Sequence, residues 1–324
     1  MKDKNQRIKY GFKKILTGSD LSLRKLAIME IDSGIAGPTV WITAAVHGDE
    51  VGGAAVIHEV VKSVRQKPLL KGALKAMPIM NPIGFEASTR NISVIEEDLN
   101  RSFPGDKNGR LSERMAETIF STITSTKPQL VLDLHNDWNK SVPYLLIDPY
   151  PGKEFKTTHY IARRLAFTSG FLMIQEEDES DSFKTLSGSM IKAGIPALTL
   201  ELGESYVVNE KNVRDGVSAI WRILSELEMV KPDPALELFF KPPKEFLNKA
   251  LSYYDGPKSQ TSGLVRYFTR PGEIIRTGET IAKIYNVFGK LQETAVAEKD
   301  GIVLGYPDTA VSFPGAPLAA FGVL

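Results

Sequence analysis

Two histidines and a glutamate have the types and the spacing to hold a catalytic metal ion. His47 and Glu50 lie three residues apart in the segment AVHGDE, which follows a strand-like apolar run. In a turn or a first helical turn, this spacing lets an imidazole and a carboxylate converge on one ion. His135 ends a second apolar run, in the segment VLDLHN. Two histidines and one glutamate, with a fourth position left for water, are a known catalytic zinc set.

Further polar residues lie beside the ends of predicted strands. Glu201 interrupts the otherwise apolar run ALTLEL, and a carboxylate in a buried strand is costly unless it has a polar partner. Arg101, preceded by Asn100, can hold a carboxylate bidentately while the amide adds hydrogen-bond donors, and Arg90 lies shortly before them. Asp98 can accept the ring N–H of a metal-bound histidine and so orient it.

Several residues in these segments also have plainer interpretations. Asp49 competes with Glu50 as a metal ligand. Asp98 and Asp133 could each orient a ligand or simply cap and pair locally. The two remaining histidines lie on helix-like segments without a second ligand at a suitable spacing, which favours a structural role. These two histidines are His58 and His159.

The composition narrows the chemistry further. The 324 residues include four histidines and no cysteine, which excludes disulfides, thiolate zinc sites, iron–sulfur clusters and a cysteine nucleophile. Forty basic residues against 39 acidic ones leave a net charge of +1, so there is no global footprint for nucleic acid or an anionic membrane. The chain also lacks the G-x-S-x-G elbow of serine hydrolases and the glycine-rich nucleotide motifs.

Strand-like and helix-like stretches alternate through the first part of the chain. This alternation predicts an α/β fold in which a largely parallel sheet is flanked by helices. Functional sites in such folds lie where the strands end. The segments that contain His47, His135 and Glu201 are at such positions. The predicted strands are 25–31, 38–46, 74–80, 129–134, 144–147, 171–175 and 197–202. The predicted helices are 52–64, 112–124, 156–168 and 213–227.

The character of the sequence changes near residue 230. A proline-rich stretch over 231–244 predicts a linker, which divides the chain into a catalytic domain, 1–232, and a linker with a β domain, 233–324. From residue 259 onward, short strands punctuated by Gly and Pro predict a small all-β barrel or sandwich of about seven strands. Lys299 lies near a hairpin tip but lacks the flanks of a biotinyl or lipoyl attachment site. The β domain is therefore expected to shape access to the site or to form an oligomer contact.

Two charged segments remain. Residues 1–14 are polar and basic, without the apolar stretch and cleavage site of a secretory signal, so a cytoplasmic protein is expected. No window of the chain reaches the ~18 apolar residues of a membrane-spanning helix. The acidic run over 176–181 is interpreted as a solvated loop, with a lid over the site as the alternative.

Taken in order, five motifs resemble one family. They are HGDE at 47–50, TR at 89–90, DLNRSFPG at 98–105, DLHN at 133–136 and ELGE at 201–204. This set resembles the succinylglutamate desuccinylase/aspartoacylase branch of the zinc carboxypeptidase-like superfamily. The resemblance covers residues 38–228, and the C-terminal segment resembles the β domain attached to many bacterial members.

The resemblance implies a role for each matching residue. One zinc ion per chain would be held by His47, Glu50 and His135. The resemblance thus favours Glu50 over Asp49 as the carboxylate ligand. Glu201 would be the general base that activates water and then the acid that protonates the leaving amine.

The same resemblance implies how the substrate is held. Arg90 would polarise the scissile carbonyl and stabilise its oxyanion, which is worth about 3 kcal/mol in related settings. Asn100 and Arg101 would clamp a substrate carboxylate. Relatives use a further basic residue for a second carboxylate, for which Arg163, Arg164 and Arg214 are candidates by proximity only.

The predicted function is zinc-dependent hydrolysis of the amide bond in a small N-acyl amino acid or a related carboxylate-bearing amide. One alternative is a metallocarboxypeptidase that acts on peptides, and another is a zinc-retaining binding module without catalysis. The expected partner is a small-molecule substrate, with no nucleic acid and no membrane, and the question of a homo-oligomer stays open.

Overall fold

The computed structural model describes residues 6–17, 21–177 and 181–324. A mixed sheet of thirteen strands has helices on both faces, and four further strands form a separate antiparallel sheet. This confirms the predicted α/β class with an additional all-β part. The strands up to Glu204 are β1 (Arg7–Thr17), β2 (Leu23–Asp32), β3 (Thr39–Ala44), β4 (Ala73–Met77), β5 (Leu130–Asp137), β6 (Lys140–Ser141), β7 (Tyr144–Ile147), β8 (Leu172–Gln175) and β9 (Ala197–Glu204).

Six helices pack against this sheet in the described part of the chain. They are α1 (Gly52–Gln66), α2 (Pro82–Ala87), α3 (Leu111–Thr124), α4 (Lys156–Ser169), α5 (Leu186–Lys192) and α6 (Glu210–Glu226). Among the residues that the structure describes, no helix is both long and apolar enough to cross a membrane.

Alternation along the central strands sends side chains to both faces of the sheet. In β3, Val40 and Ile42 pack in one core with α1, α4 and α6, whereas Trp41 packs in the other core with α3 and α5. All three side chains are fully buried. Strands covered on both faces are apolar throughout, and for this reason the polar residues near their ends are conspicuous.

The central strands run parallel in the order β4, β3, β5, β9. Their carboxyl ends therefore meet at one edge of the sheet. His47 follows β3, whereas His135 lies on β5 directly opposite Glu201 of β9. This register brings the three sequence motifs to the same edge.

Several boundaries differ from the sequence pattern. Strand β4 ends at Met77, before Pro78, because proline has no N–H for the ladder. Helix α6 begins at Glu210, earlier than predicted, because the Asn209 side chain accepts the N–H of Lys211 and starts the helix there. The basic N-terminal segment also forms a strand, β1, which the pattern did not predict.

The C-terminal strands take part in both sheets. They are β10 (Ala250–Asp255), β11 (Gly263–Tyr267), β12 (Ile274–Ile275), β13 (Thr280–Tyr285), β14 (Leu291–Val296), β15 (Gly301–Tyr306), β16 (Val311–Ser312) and β17 (Ala320–Val323). Seven of them follow residue 259, as the pattern predicted. Strands β14, β13, β11 and β16 form the separate sheet, whereas β10, β17, β15 and β12 extend the large one.

Backbone hydrogen bonding therefore continues past the linker. Strand β10 pairs in parallel with β8 and antiparallel with β17, and β6 pairs with β15. Leu251 of β10 is fully buried in a core shared with Tyr144 of β7 and Ile302 of β15. Four of the C-terminal strands are thus part of the same sheet that carries the motifs.

We expect Leu251→Ala to destabilise this shared core by about 2–5 kcal/mol, because it removes buried methyl groups and leaves a cavity. The measurement is urea denaturation followed by circular dichroism. Leu264→Ala, on a side chain that is 53% exposed, is the control and should change stability by less than about 0.5 kcal/mol. Equal effects of the two substitutions would contradict this description of the core.

Candidate active site

His47, Glu50 and His135 form a compact cluster at the carboxyl edge of the central strands. One ligand atom from each lies within 4.8 Å of the other two, and all three side chains are buried. The cluster lines a cavity of about 590 Å³. Both imidazoles and the carboxylate are thus presented to one small volume, which is the arrangement that a metal ion requires.

Glu50 lies between the two rings. Its Oε1 is 2.5 Å from Nδ1 of His47, and its Oε2 is 2.9 Å from Nδ1 of His135. The backbone N–H of Asn136 also donates to Oε2, at 3.0 Å. Burial alone would raise the pKa of Glu50, but the two imidazoles hold it below its usual value.

An aspartate lies against the far nitrogen of each ring. Nε2 of His47 is 3.3 Å from Asp98, and Nε2 of His135 is 2.9 Å from Asp133. Asp133 is itself buried and accepts the hydroxyl of Thr43 at 2.7 Å. Because each aspartate can accept Nε2–H, it orients its ring with Nδ1 toward Glu50, where a neutral imidazole would offer that nitrogen to a metal ion.

This arrangement fits a bound cation. Glu50 is a buried carboxylate that needs a positive charge beside it, and this charge can come from a protonated imidazole or from a metal ion that takes the place of the Nδ1 protons. Burial lowers the pKa of His135, but Asp133 and Glu50 together raise it well above its usual value. The donor set of two imidazoles and one carboxylate suits zinc.

Gly48 ties this loop to the segment that carries Arg90. Its N–H donates to the carbonyl of Thr89 at 3.0 Å, and a Cβ at Gly48 would lie 1.9 Å from the carbonyl carbon of Gly84 in α2. Only glycine permits so close an approach. The Arg90 guanidinium consequently lies 3.3 Å from Glu50 and 3.5 Å from Asp98.

Glu201 faces the same cavity from β9. It is 9% exposed, and its Oε2 is buried without a hydrogen-bond partner in the described part of the chain. Burial raises the pKa of Glu201 well above its usual value, although His135 opposes the shift. A carboxyl group of this kind holds a proton more readily than an exposed one.

Asn100 and Arg101 also line the cavity. They lie in a short 3-10 turn, Leu99–Arg101, whose N-terminus is capped by Asp98. Oδ1 of Asn100 accepts the N–H of Leu186 at 2.9 Å, which leaves the amide N–H groups as its donors. The predicted metal ligands and the predicted catalytic and substrate-binding residues therefore all line one cavity. Asp98 and Asp133 lie behind the two histidine rings.

The other candidates lie elsewhere. Asp49 is not part of the metal cluster, and the pKa of its carboxyl is raised by burial. His58 is exposed on α1, and His159 donates to the carbonyl of Asp148.

None of the three arginines proposed for a second substrate carboxylate lines the cavity. Arg164 pairs with Glu226, and the Arg214 guanidinium lies 4.4 Å from the centre of the Phe239 ring. These arginines are close to site-forming segments in the sequence, but the fold places them away from the cavity.

Several cavity residues carried no signal in the sequence. Tyr144 donates to Asp137 at 2.8 Å, and burial raises the pKa of Asp137 to about 6. Tyr253 and Asp255 reach the cavity from β10, beyond the predicted boundary. Tyr253 and Asp255 line the cavity because the sheet continues from β8 into β10.

The sequence predicts a solvated loop for the acidic run over 176–181. In the structure, three residues of this run line the cavity. They are Glu176, Glu177 and Asp181. Residues 178–180 of the run lie outside the described part of the chain.

The central part of the chain has a fold of the carboxypeptidase-like α/β class. A metallo-carboxypeptidase from Burkholderia cenocepacia superposes with a TM-score of 0.54, at 16% identity, over 69% of this chain and 65% of that chain. The likeness shows that the two proteins share a central fold.

Within this class the family is specific. Residues 36–227 match the succinylglutamate desuccinylase/aspartoacylase catalytic domain. The match spans more than half of the chain, and the protein belongs to this family.

Individual relatives extend the likeness to the C-terminal strands. The chain is 25% identical over 314 residues to the N-alpha-acetyl-L-2,4-diaminobutyric acid deacetylase of Halomonas elongata, covering 91% of this chain and 86% of that protein. A succinylglutamate desuccinylase/aspartoacylase from Rhodobacter sphaeroides has a TM-score of 0.80 at 21% identity, with 99% and 96% of the two chains covered. The ectoine utilization protein EutE (DoeB) from Ruegeria pomeroyi, in a product-bound structure, has a TM-score of 0.79 at 21% identity, with 100% and 97% covered.

We expect Asp133→Asn to weaken zinc binding by about 10- to 100-fold, because the amide no longer orients His135 as a carboxylate does. The measurement is zinc affinity by competition with a chromophoric chelator. Asp300→Asn, on an exposed turn outside the cavity, serves as the control. Unchanged zinc affinity in Asp133→Asn would remove Asp133 from the support of the metal site.

Proposed function

We propose that this protein is a zinc-dependent amidohydrolase that removes the acyl group from a small N-acyl amino acid. One observation carries the proposal. A His–Glu–His cluster, an unpartnered buried glutamate and a guanidinium surround the same cavity. Family membership and the activity for which the Halomonas relative is named support the same reaction.

His47, Glu50 and His135 would hold the metal. Zinc in such a site lowers the pKa of bound water toward 7 and polarises an amide carbonyl as a Lewis acid. The chain's own residues supply the remaining parts of the reaction.

Glu201 transfers a proton from the attacking water to the leaving amine. Its carboxylate accepts a proton from the attacking water as the water oxygen bonds to the acyl carbon. It then delivers this proton to the amide nitrogen as the C–N bond breaks, so that a carboxylic acid and a free amine leave. A raised pKa suits both halves of this exchange, because the group has to accept and release a proton near neutral pH.

Arg90 stabilises the oxygen that becomes negative during the attack. Its guanidinium lies beside Glu50 and Asp98, so it is held over the cluster before any substrate arrives. Preorganised donors of this kind stabilise a developing charge without reorganising during the reaction.

Asn100 and Arg101 are proposed to bind the carboxylate of the amino acid. Arg101 supplies a fork of N–H donors, and Asn100 adds its amide N–H groups. Tyr253 and Asp255 of β10 add a further wall to the cavity, which favours a small substrate over an extended peptide. A cytoplasmic location and the absence of nucleic-acid or membrane partners stay predictions from the sequence.

The metal requirement has a direct test. Chelation should abolish hydrolysis, and one equivalent of zinc per chain should restore it. His47→Ala and His135→Ala should each lose bound zinc, measured by elemental analysis. Full zinc content in both variants would contradict the ligand assignment.

Glu201→Gln should retain zinc and lose about 10²- to 10⁴-fold in kcat, since the amide cannot accept the proton of water. The assay is release of free amine from a panel of N-acetyl amino acids and short peptides. Glu204→Gln is the matched control, because Glu204 lies on the same strand but bonds to Asn209 outside the cavity. Near-normal kcat in Glu201→Gln would exclude it as the base, whereas cleavage of peptides alone would favour a carboxypeptidase.

A further inference from the structure

One face of the separate four-stranded sheet is open to solvent. Val265 of β11 and Ile284 of β13 point into the C-terminal core, where both side chains are buried. Successive residues of a strand project to opposite faces, so the neighbours of these two residues point outward. An antiparallel sheet can have one face in water, and such a face is ordinarily polar.

The outward face of this sheet carries an apolar row instead. The strand register pairs Val311 with Leu264, Leu264 with Tyr285, and Tyr285 with Leu291. Directly paired residues lie side by side on one face, so the row crosses all four strands. Leu264, Leu291 and Val311 are 53%, 50% and 47% exposed, and Tyr285 is partly exposed.

Further apolar side chains extend the row at one end of the sheet. The turn from β13 to β14 carries Val287 and Phe288, which are 93% and 83% exposed. They are the most exposed large apolar side chains in the described part of the chain. Phe313, which directly follows β16, is 62% exposed. The row, the two turn residues and Phe313 together form what we call the apolar patch.

The apolar patch has the size of a subunit interface. Burial of one phenylalanine removes about 150–250 Å² of surface from water, so Phe288 and Phe313 alone supply a large part of an interface. The remaining side chains bring the patch close to the roughly 800 Å² that each partner contributes to a stable complex. The largest apolar patch on a typical monomer is about 300–600 Å², and larger ones mark surfaces that a partner covers.

The charges beside the patch suit a second copy in antiparallel orientation. Arg266 and Lys283 pair across β11 and β13, next to the row and away from the turn. Each already lies against a ring, at 5.6 Å from the centre of Tyr285 and 5.1 Å from the centre of Phe268. If a twofold axis runs along the row, these cations face the aromatic turn of the other copy, where cation–π contacts are favourable. Lys290 in that turn is exposed and can extend into water.

The charge of the whole chain also favours self-association. The net charge is +1, so two copies repel one another only weakly. Among the described residues that line the cavity, none belongs to the apolar patch. Pairing through the patch therefore leaves both cavities accessible.

We propose that the apolar patch packs against the same patch of a second copy, so that the protein is a dimer with twofold symmetry. The two outward faces then form a sandwich with the sheets about 10 Å apart. Phe288 and Phe313 are the expected anchors, because aromatic side chains carry much of the energy of an interface, whereas the aliphatic side chains of the row chiefly exclude water. This inference does not depend on the proposed hydrolysis.

Sedimentation velocity of the full chain over a range of concentrations tests this inference, and we expect a dimer. Phe288→Asp and Phe313→Asp should each raise the Kd of the dimer by at least about 30-fold, which corresponds to the loss of an interface hot spot. Tyr160→Asp is the control, because it places the same charge on a 66% exposed aromatic residue of α4, and it should leave the dimer unchanged. Circular dichroism establishes that each variant is folded. A monomer at every concentration, or a dimer that persists in both phenylalanine variants, overturns the inference.

A second test uses the absence of cysteine from the chain, since an introduced thiol is then the only one present. Gln292→Cys places a thiol beside Leu291 in the patch, whereas Lys299→Cys places one on the exposed turn beyond the other end of β14. A short bismaleimide should convert most of the Gln292→Cys protein to a covalent dimer and leave the Lys299→Cys protein monomeric. Equal cross-linking of the two variants overturns the inference. Binding of a monomer to vesicles of anionic lipid, lost in Phe288→Asp, would assign the patch to a membrane surface and also overturn it.

Discussion

The buried Glu50 carboxylate organises the functional edge of this protein. Its two oxygens contact both histidines of the cluster, the N–H of Asn136 and the guanidinium of Arg90. A charge with so little access to water requires partners in every direction. The loop after β3, the end of β5 and the loop that carries Arg90 must therefore hold their positions together, and the backbone bond from Gly48 to Thr89 fixes two of them.

The parallel sheet explains how these partners reach Glu50. Strands β3, β5 and β9 end at one edge, and the register places His135 opposite Glu201. Apolar cores on both faces fix the strands that carry them. The metal cluster and Glu201 thus have rigid supports, whereas the other walls of the cavity come from loops and from the neighbouring strands β7 and β10.

A feature of this protein can be predicted from the sequence when the interactions that form it are local in sequence. Apolar alternation and motif spacing are local, so the α/β class and the positions of His47, His135 and Glu201 at strand ends could be predicted from the sequence. The walls depend on distant pairings. Tyr253 reaches the cavity because β10 pairs with β8, and Arg164 points away because it pairs with Glu226. Neither contact leaves a local pattern, and strands on both sides of the 231–244 stretch belong to one sheet. The division into two domains stays a prediction.

The pairing of β10 between β8 and β17 also has a kinetic consequence. His47 and Tyr253 line one cavity although about 200 residues separate them, and contacts of such long sequence separation form slowly because the loop entropy is lost first. The cavity is therefore complete only when strands from both ends of the chain have paired, which ties its shape to the integrity of the whole sheet.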